Sequence, residues 1–290
     1  MYRCTEEKSV FGIGRQEGGV LDKVGIMNIK EKVSVIMPAY NCGKFIGESI
    51  RSVQAQTYEN WELLIVDDVS TDDTAEVVAA FLGDDRIRYY CLQENGGPAA
   101  ARNEALRRAQ GDYIAFLDSD DIWMPEKLEH QLAFMKKNGY FFTCTGYKKT
   151  NEAGAPLGIQ VIPRTSADYW KAFFLGNPIG NSTVIYDRRH FGDRQIPPIR
   201  KRNDFALWLQ LLREGDACYG MEDVLMAYRV RNDSISSKKI RLAKYQWELY
   251  RHIEKKSLML SCLGVLSWAV VKGTGLGLRV RKSKENTHDQ

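Results

Sequence analysis

No two of the six cysteines in this 290-residue sequence stand in CxxC spacing, and its four histidines lie far from them and from one another. That absence excludes the common structural zinc sites and a disulfide framework. The first residues, MYRCTEEKSVFG, lack a basic segment followed by an apolar one, so no secretory leader is legible and a cytoplasmic protein is expected. Long hydrophobic runs are missing as well. LMLSCLGVLSWAVV (258–271) falls short of the roughly 20 residues that a spanning helix requires. There is no internal repeat and no low-complexity run. GIGRQEGG (12–19) is rich in glycine, but it follows no strand and has the wrong spacing for a dinucleotide fingerprint, which argues against a dehydrogenase.

What remains is ordinary globular composition, 44% hydrophobic and 27% charged, enough to build a core without staples. The net charge of +4 hides an asymmetry. Residues 238–284 carry twelve Lys/Arg against two acids, Glu248 and Glu254, which leaves 29 basic against 35 acidic elsewhere. A nucleic-acid groove would spread basic residues among aromatics, whereas here they flank one apolar stretch. The expectation is therefore no nucleic acid and attachment to an anionic membrane surface on the inner face of the cell membrane, with Trp268 near the headgroups. A helix packed on the domain with solvated basic neighbours is the alternative.

Residues 1–30 show no sustained periodicity and read as a disordered extension or a start codon placed too early, with Met27 just before the first strand. The pattern then becomes regular. VSVIM (33–37) is a buried strand stopped by Pro38, and GKFIGESIRSVQAQ places Phe45, Ile46, Ile50 and Val53 at helical spacing. WELLIV (61–66), RIRYYC (86–91) and DYIAFL (112–117) are further strands; DDTAEVVAAFL (72–82), N-capped by Thr71, and PAAARNEALRRA (98–109) are helices between them. Such alternation implies a mostly parallel central sheet flanked by helices, with ligands bound beyond the carboxyl ends of the strands. Past residue 125 the order loosens: helices are expected at 125–139, 166–176 and 203–215, extended segments at 217–230, and a charged helix at 238–256. The boundaries expected are 1–30 for the extension, 31–240 for the main domain (31–125 its regular half, 126–240 its less regular half), and 241–290 for a helical basic appendage.

Three polar clusters fall at strand ends: MPAYN (37–41), IVDDVS (65–70) and AFLDSDD (115–121). Asp118 and Asp120 are separated by one residue, so on an extended segment they face one side and offer hard oxygens to a single cation, Mn²⁺ or Mg²⁺. Such ions take one or two carboxylates and complete their shell with substrate phosphate oxygens. The bland alternative makes Asp120 and Asp121 solvated turn residues, one of them capping the next helix.

Taken together, VSVIMPAYNCGKFIGESIRSVQAQTYENWELLIVDDVSTDDT, ENGGPAAARNEAL and GDYIAFLDSDDIWMPEKLE resemble, in order and spacing, the family-2 glycosyltransferases. The resemblance covers roughly residues 33–240, continuing through GNSTVIYDRRHFG, RNDFALWLQLL and MAYRVRNDSISSKK. It implies a GT-A fold, a UDP-sugar donor, a divalent cation, and inverting hexosyl transfer to a saccharide or lipid-linked saccharide acceptor. The nearest likeness is to bacterial enzymes of cell-wall or capsular polysaccharide synthesis, of the teichuronic-acid type. The processive synthases of the family carry QxxRW; here QLLR (210–213) is followed by Glu214, so one sugar per encounter is expected. A nucleotidyltransferase on a related fold, or a sugar-binding scaffold without activity, is the rival.

By that resemblance Pro38, Ala39 and Tyr40 cradle the nucleobase, with Tyr40 stacking on it, and Asp68 accepts N3–H of uracil, where cytosine presents an acceptor and is repelled. An Asx turn at Asp67–Asp68 is the structural alternative. Asp118 lies near ribose and metal, and Asp120 is the principal metal ligand. Asp204 matches the catalytic base, although Asn203 stands where relatives often have Glu and both residues are typical helix caps. Arg231 replaces a frequent histidine and cannot ligate a cation, so it is expected to clamp the diphosphate. The loop NGGPAAARN brings Arg102 one turn into a helix, facing the diphosphate or bracing a carboxylate. Trp208, one turn after Asp204, is expected to wall the acceptor sugar or to join the core.

Overall fold

The computed structural model describes residues 31–231, 239–275 and 279–282; the expected extension over residues 1–30 lies outside it. Strands β1 (Val33–Ala39), β2 (Trp61–Asp67), β3 (Ile87–Cys91) and β4 (Tyr113–Phe116) run parallel in the order β3-β2-β1-β4. Helices α1 (Gly43–Gln54), α2 (Thr74–Ala79) and α3 (Gly97–Arg108) make the crossovers. Because successive side chains point to opposite faces, Val33, Val35 and Met37 pack with Ile46, Ile50 and Val53 of α1, while Ile36 packs with Ala101 and Ala105 of α3. Burial on both faces is why these strands read as unbroken apolar runs.

The chain continues through β5 (Ile122–Trp123), α4 (Lys127–Asn138), β6 (Phe142–Thr150), β7 (Pro156–Ile162), β8 (Ser166–Ala167), α5 (Tyr169–Leu175), β9 (Val184–Asp187) and α6 (Arg188–Phe191). It ends with α7 (Asn203–Leu212), β10 (Cys218–Arg229), α8 (Lys239–Glu248), a π turn (Leu249–Ile253), α9 (Leu258–Thr274) and β11 (Arg279–Lys282). β9 extends the parallel core antiparallel to β4 and passes the sheet to β6, β7 and β11. β10 lies parallel to β6 and reaches back, antiparallel, to β5, just past AFLDSDD.

Several local expectations shift. Pro38 does not stop β1, which pairs with β2 through Pro38↔Val66 and Ala39↔Asp67. The Ile36 carbonyl bonds toward Leu117 and that of Ala39 toward Asp68, so alternation points position 38 to the β4 side, beyond the last β1–β4 pair, Ile36↔Phe116. No ladder donor is needed there. Thr71 is not the cap of α2; Asp73 holds that position, and the Thr71 amide donates to Asn41 Oδ1 at 2.8 Å. Glu126, and neither Asp120 nor Asp121, precedes α4. In the segment expected as one helix over 166–176, Ser166–Ala167 instead pairs with β10, and the helix starts after Asp168, whose carboxylate accepts from the Lys171 amide. Trp268 is buried on the inner face of α9, not placed among headgroups.

Candidate active site

The adjacent aspartates closing β2 have opposite duties. Asp67 Oδ1 accepts from the Ser70 amide at 3.0 Å and hydroxyl at 2.6 Å, and Oδ2 accepts from Tyr89 Oη at 2.5 Å, which makes it the Asx turn that ends the strand. Asp68 instead crosses to α3, where its two oxygens accept the Gly96 and Gly97 amides, each at 2.8 Å. Gly97 takes φ 78°, a conformation that glycine adopts without strain. Burial raises the pKa of Asp68 against the pull of those amides. A carboxylate has about four lone-pair directions, so two remain for a ligand. Beside it, a cleft of about 350 Å³ runs between Asn95–Asn103 and Pro198–Arg200. Across the strand ends, the Asp68 amide donates to the Ala39 carbonyl at 2.9 Å, and Tyr40 is 52% exposed.

The carboxylates after β4 are separated by their partners. Asp118 Oδ1 accepts from Arg102 Nη2 at 2.5 Å and Asn181 Nδ2 at 2.8 Å. Asp120 Oδ2 meets Arg231 Nη1 at 3.2 Å, while its carbonyl accepts from Arg229 Nε at 3.0 Å. Asp121 points inward and accepts the Ser182 hydroxyl at 2.6 Å and the Arg229 amide at 3.2 Å. Burial first, then the charge on Asp118, raises the pKa of Asp120; Asp121 is pushed well up by burial and by both neighbours. None of the three is a helix cap.

Arg102 Nη1 donates to Asn203 Oδ1 at 2.6 Å while Nη2 holds Asp118, so the buried guanidinium braces the end of β4 against the start of α7. Asn203 and Asp204 do not cap α7, because Arg202 precedes the helix with φ 64° and offers no side-chain cap. Asp204 Oδ2 accepts from Asn177 Nδ2 at 2.9 Å; its other oxygen takes no hydrogen bond among the described residues. Trp208 corrects the acceptor-wall expectation. It is fully buried, 5.2 Å edge-on to Phe116 and 5.5 Å from Phe142, because α7 is apolar almost all round and sits inside the core.

Among the described residues no cluster of three or more His, Cys, Asp or Glu is placed to hold a metal. The residues present still fit a hard divalent cation that takes few protein ligands: two carboxylates one residue apart, crowded enough to raise Asp120, with Asp118 Oδ2 accepting no hydrogen bond among the described residues.

The sequence profile described as glycosyl transferase family 2 matches residues 34–189. The chain belongs to this family. It is 45% identical over 233 residues to the putative teichuronic acid biosynthesis glycosyltransferase TuaG of Bacillus subtilis (strain 168), covering 80% of this chain and 92% of that one. It is 39% identical over 218 residues to the Escherichia coli UDP-Glc:alpha-D-GlcNAc-diphosphoundecaprenol beta-1,3-glucosyltransferase WfgD, covering 75% and 84%. The crystal structure of S. aureus TarS 1-349 in complex with UDP-GlcNAc superimposes with a TM-score of 0.64 at 23% identity, covering 82% of this chain and 71% of TarS. The fold of this family-2 glycosyltransferase is GT-A.

Several residues of the candidate site were not singled out from the sequence. Asn177, Asn181, Ser182 and Arg229 hold the four aspartates in place, yet none belongs to the acidic motifs. The polar run GNPIGNS (176–182) was the available signal. Arg229 looks like a strand residue until its guanidinium is seen to reach Glu48, Glu152 and Asp120 at once.

Proposed function

We propose that this protein transfers a hexose from a UDP-sugar, by single displacement with inversion, to a hydroxyl of a saccharide or lipid-linked saccharide in cell-wall or surface polysaccharide synthesis. What supports this most is one connected arrangement: Asp68 and the Asp118/Asp120 pair follow β2 and β4, the strands on either side of β1, and α3 links them, since Asp68 holds its first amides and its Arg102 ties Asp118 to the turn of α7 that carries Asp204. The likeness to WfgD, a glucosyltransferase acting on alpha-D-GlcNAc-diphosphoundecaprenol, favours a lipid-linked acceptor, and that to TuaG favours a role in surface polysaccharide synthesis.

In this reading the Tyr40 ring stacks on uracil, and the remaining lone pairs of Asp68 accept N3–H. Asp120, with Asp118 beside it, would hold Mn²⁺ or Mg²⁺, whose chemistry there is to neutralise charge on the departing diphosphate. Arg231 stands next to that carboxylate with further N–H donors for the phosphates. Asp204 receives the proton of the attacking hydroxyl, its carboxylate oriented by Asn177 on one oxygen. No covalent sugar intermediate forms.

UDP release should be measured across a panel of UDP-sugars for wild type and Asp204→Asn, together with calorimetry of UDP and Mn²⁺ on wild type and on the Asp68→Ala/Asp120→Ala double variant. Release lost with UDP binding retained in Asp204→Asn supports the assignment. Equal UDP binding by a folded double variant would overturn it, and binding without any release would mark a scaffold.

A further inference from the structure

α9 is apolar on both its inner and its outer side. Ser261, Gly264 and Trp268 face the domain, and a Cβ at Gly264 would stand 2.6 Å from Phe173 and 2.8 Å from Tyr250, so the helix is pressed close by this face. The opposite side shows Leu258 (62% exposed), Met259 (72%), Leu263 (48%), Leu266 (63%) and Val270 (60%). Positions 259, 263, 266 and 270 follow helical spacing and form one stripe. A helix that merely coats a domain turns a polar side outward, whereas this one carries large apolar side chains there as well as Leu260, Val265 and Trp268 against the core.

The segment that carries the stripe has one sign of charge. From Lys255 to Lys282 the sequence contains no acid. Lys255 is exposed before the helix, and Arg281 and Lys282 are exposed on β11, which begins four residues after Gly275. Arg279 is tied to Glu222 at 3.0 Å. Two copies meeting through this stripe would bring their cationic rims together. An anionic surface complements both the stripe and its rim. At 17 residues α9 lies below the length of a spanning helix, and no helix among the described residues is long and apolar enough to cross a membrane.

We propose that the outer face of α9 lies in the headgroup boundary of an anionic bilayer, parallel to the membrane plane, with the Lys/Arg of its flanks on the lipid phosphates. The docked helix is coupled to the acceptor side. A Cβ at Gly176, which ends α5, would stand 2.2 Å from Trp268, and the next residue, Asn177, holds Asp204. Ser267 Oγ also donates to the Phe174 carbonyl at 2.8 Å. Delivery of a lipid-linked acceptor from that side rests on the reading of Asp204 given above; the docking itself does not.

The test is flotation of the full chain with phosphatidylcholine vesicles and with the same vesicles containing phosphatidylglycerol. Binding only to the anionic vesicles is expected. Leu263→Asp/Leu266→Asp, both at exposed positions, should lower partitioning roughly a hundredfold, and Arg281→Gln/Lys282→Gln roughly fivefold per charge removed. UDP calorimetry on the same variants should be unchanged, which confirms folding and separates failure of docking from failure of the active-site reading. Absence of flotation, or flotation untouched by the double Asp variant, overturns the proposal. So does a dimer in light scattering that Leu266→Asp dissolves while vesicles are ignored.

Discussion

The two halves of the sheet assemble their polar groups over different distances along the chain. On the β1–β3 side the partners are near: Asp68 and Gly96 are 28 residues apart, Cys42 and Thr74 are 32 apart, and each bond joins neighbouring crossovers. On the β4–β10 side they are remote, with Asp118 and Asn181 63 residues apart, Arg102 and Asn203 101 apart, and Arg229 and Asp120 109 apart. Short connections leave a motif, because a turn that must bring two groups together constrains the residues between them. Remote pairing leaves single polar residues inside unrelated elements.

The largest test of this contrast lies on the remote side. Asp204→Asn should lower kcat by roughly a thousandfold while UDP affinity in calorimetry stays put. Four residues on, Trp208→Ala should behave as a core truncation, costing about 3–5 kcal/mol in denaturant unfolding, and Trp208→Phe should leave the acceptor KM where it was. On the near side, Asp68→Ala should weaken UDP binding roughly ten- to a hundredfold. Its neighbour gives the control: Asp67→Ala should cost about 1–3 kcal/mol of stability, because Ser70 and Tyr89 lose their acceptor, with little change in UDP affinity.

The most gradual effect is a pH dependence, spread over several pH units. Lys127 in α4 is fully buried, donates to Gln131 at 2.9 Å and has its pKa pushed down from 10.5 to about 7 by burial. Above about 7 the folded protein releases this proton, whereas the unfolded chain keeps it up to about 10.5, so stability rises with pH across that window. The slope is at most roughly 1.4 kcal/mol per unit. Lys127→Met should flatten the corresponding rise in melting temperature.

The same contrast explains what was legible. The parallel strands, their helices and the positions of Asp68, Asp118 and Asp120 follow from apolar runs, turn residues and local spacing. The resemblance singled out Asp68, but the residues alone left both aspartates open to an Asx turn, since only the arrival of Gly96 and Gly97 decides which carboxylate crosses to α3. Arg102 stayed divided between two duties because Asn203 meets it from the far end of the chain. Trp208 sits in a helix buried nearly all round, where periodicity carries no direction. Pro38 looked like a terminator because its tolerance depends on β4 ending first.

Arg102 has one more consequence. A single guanidinium fastens the donor-side aspartate to the helix bearing the proposed base, so the two halves are not interchangeable parts. A hybrid assembled from two relatives at a junction near residue 125 would inherit Arg102 from one parent and Asn203 from the other. Where the second parent brings Glu to that position, an amide acceptor is traded for a full negative charge, and the spacing between leaving group and attacking hydroxyl would be reset along with the graft.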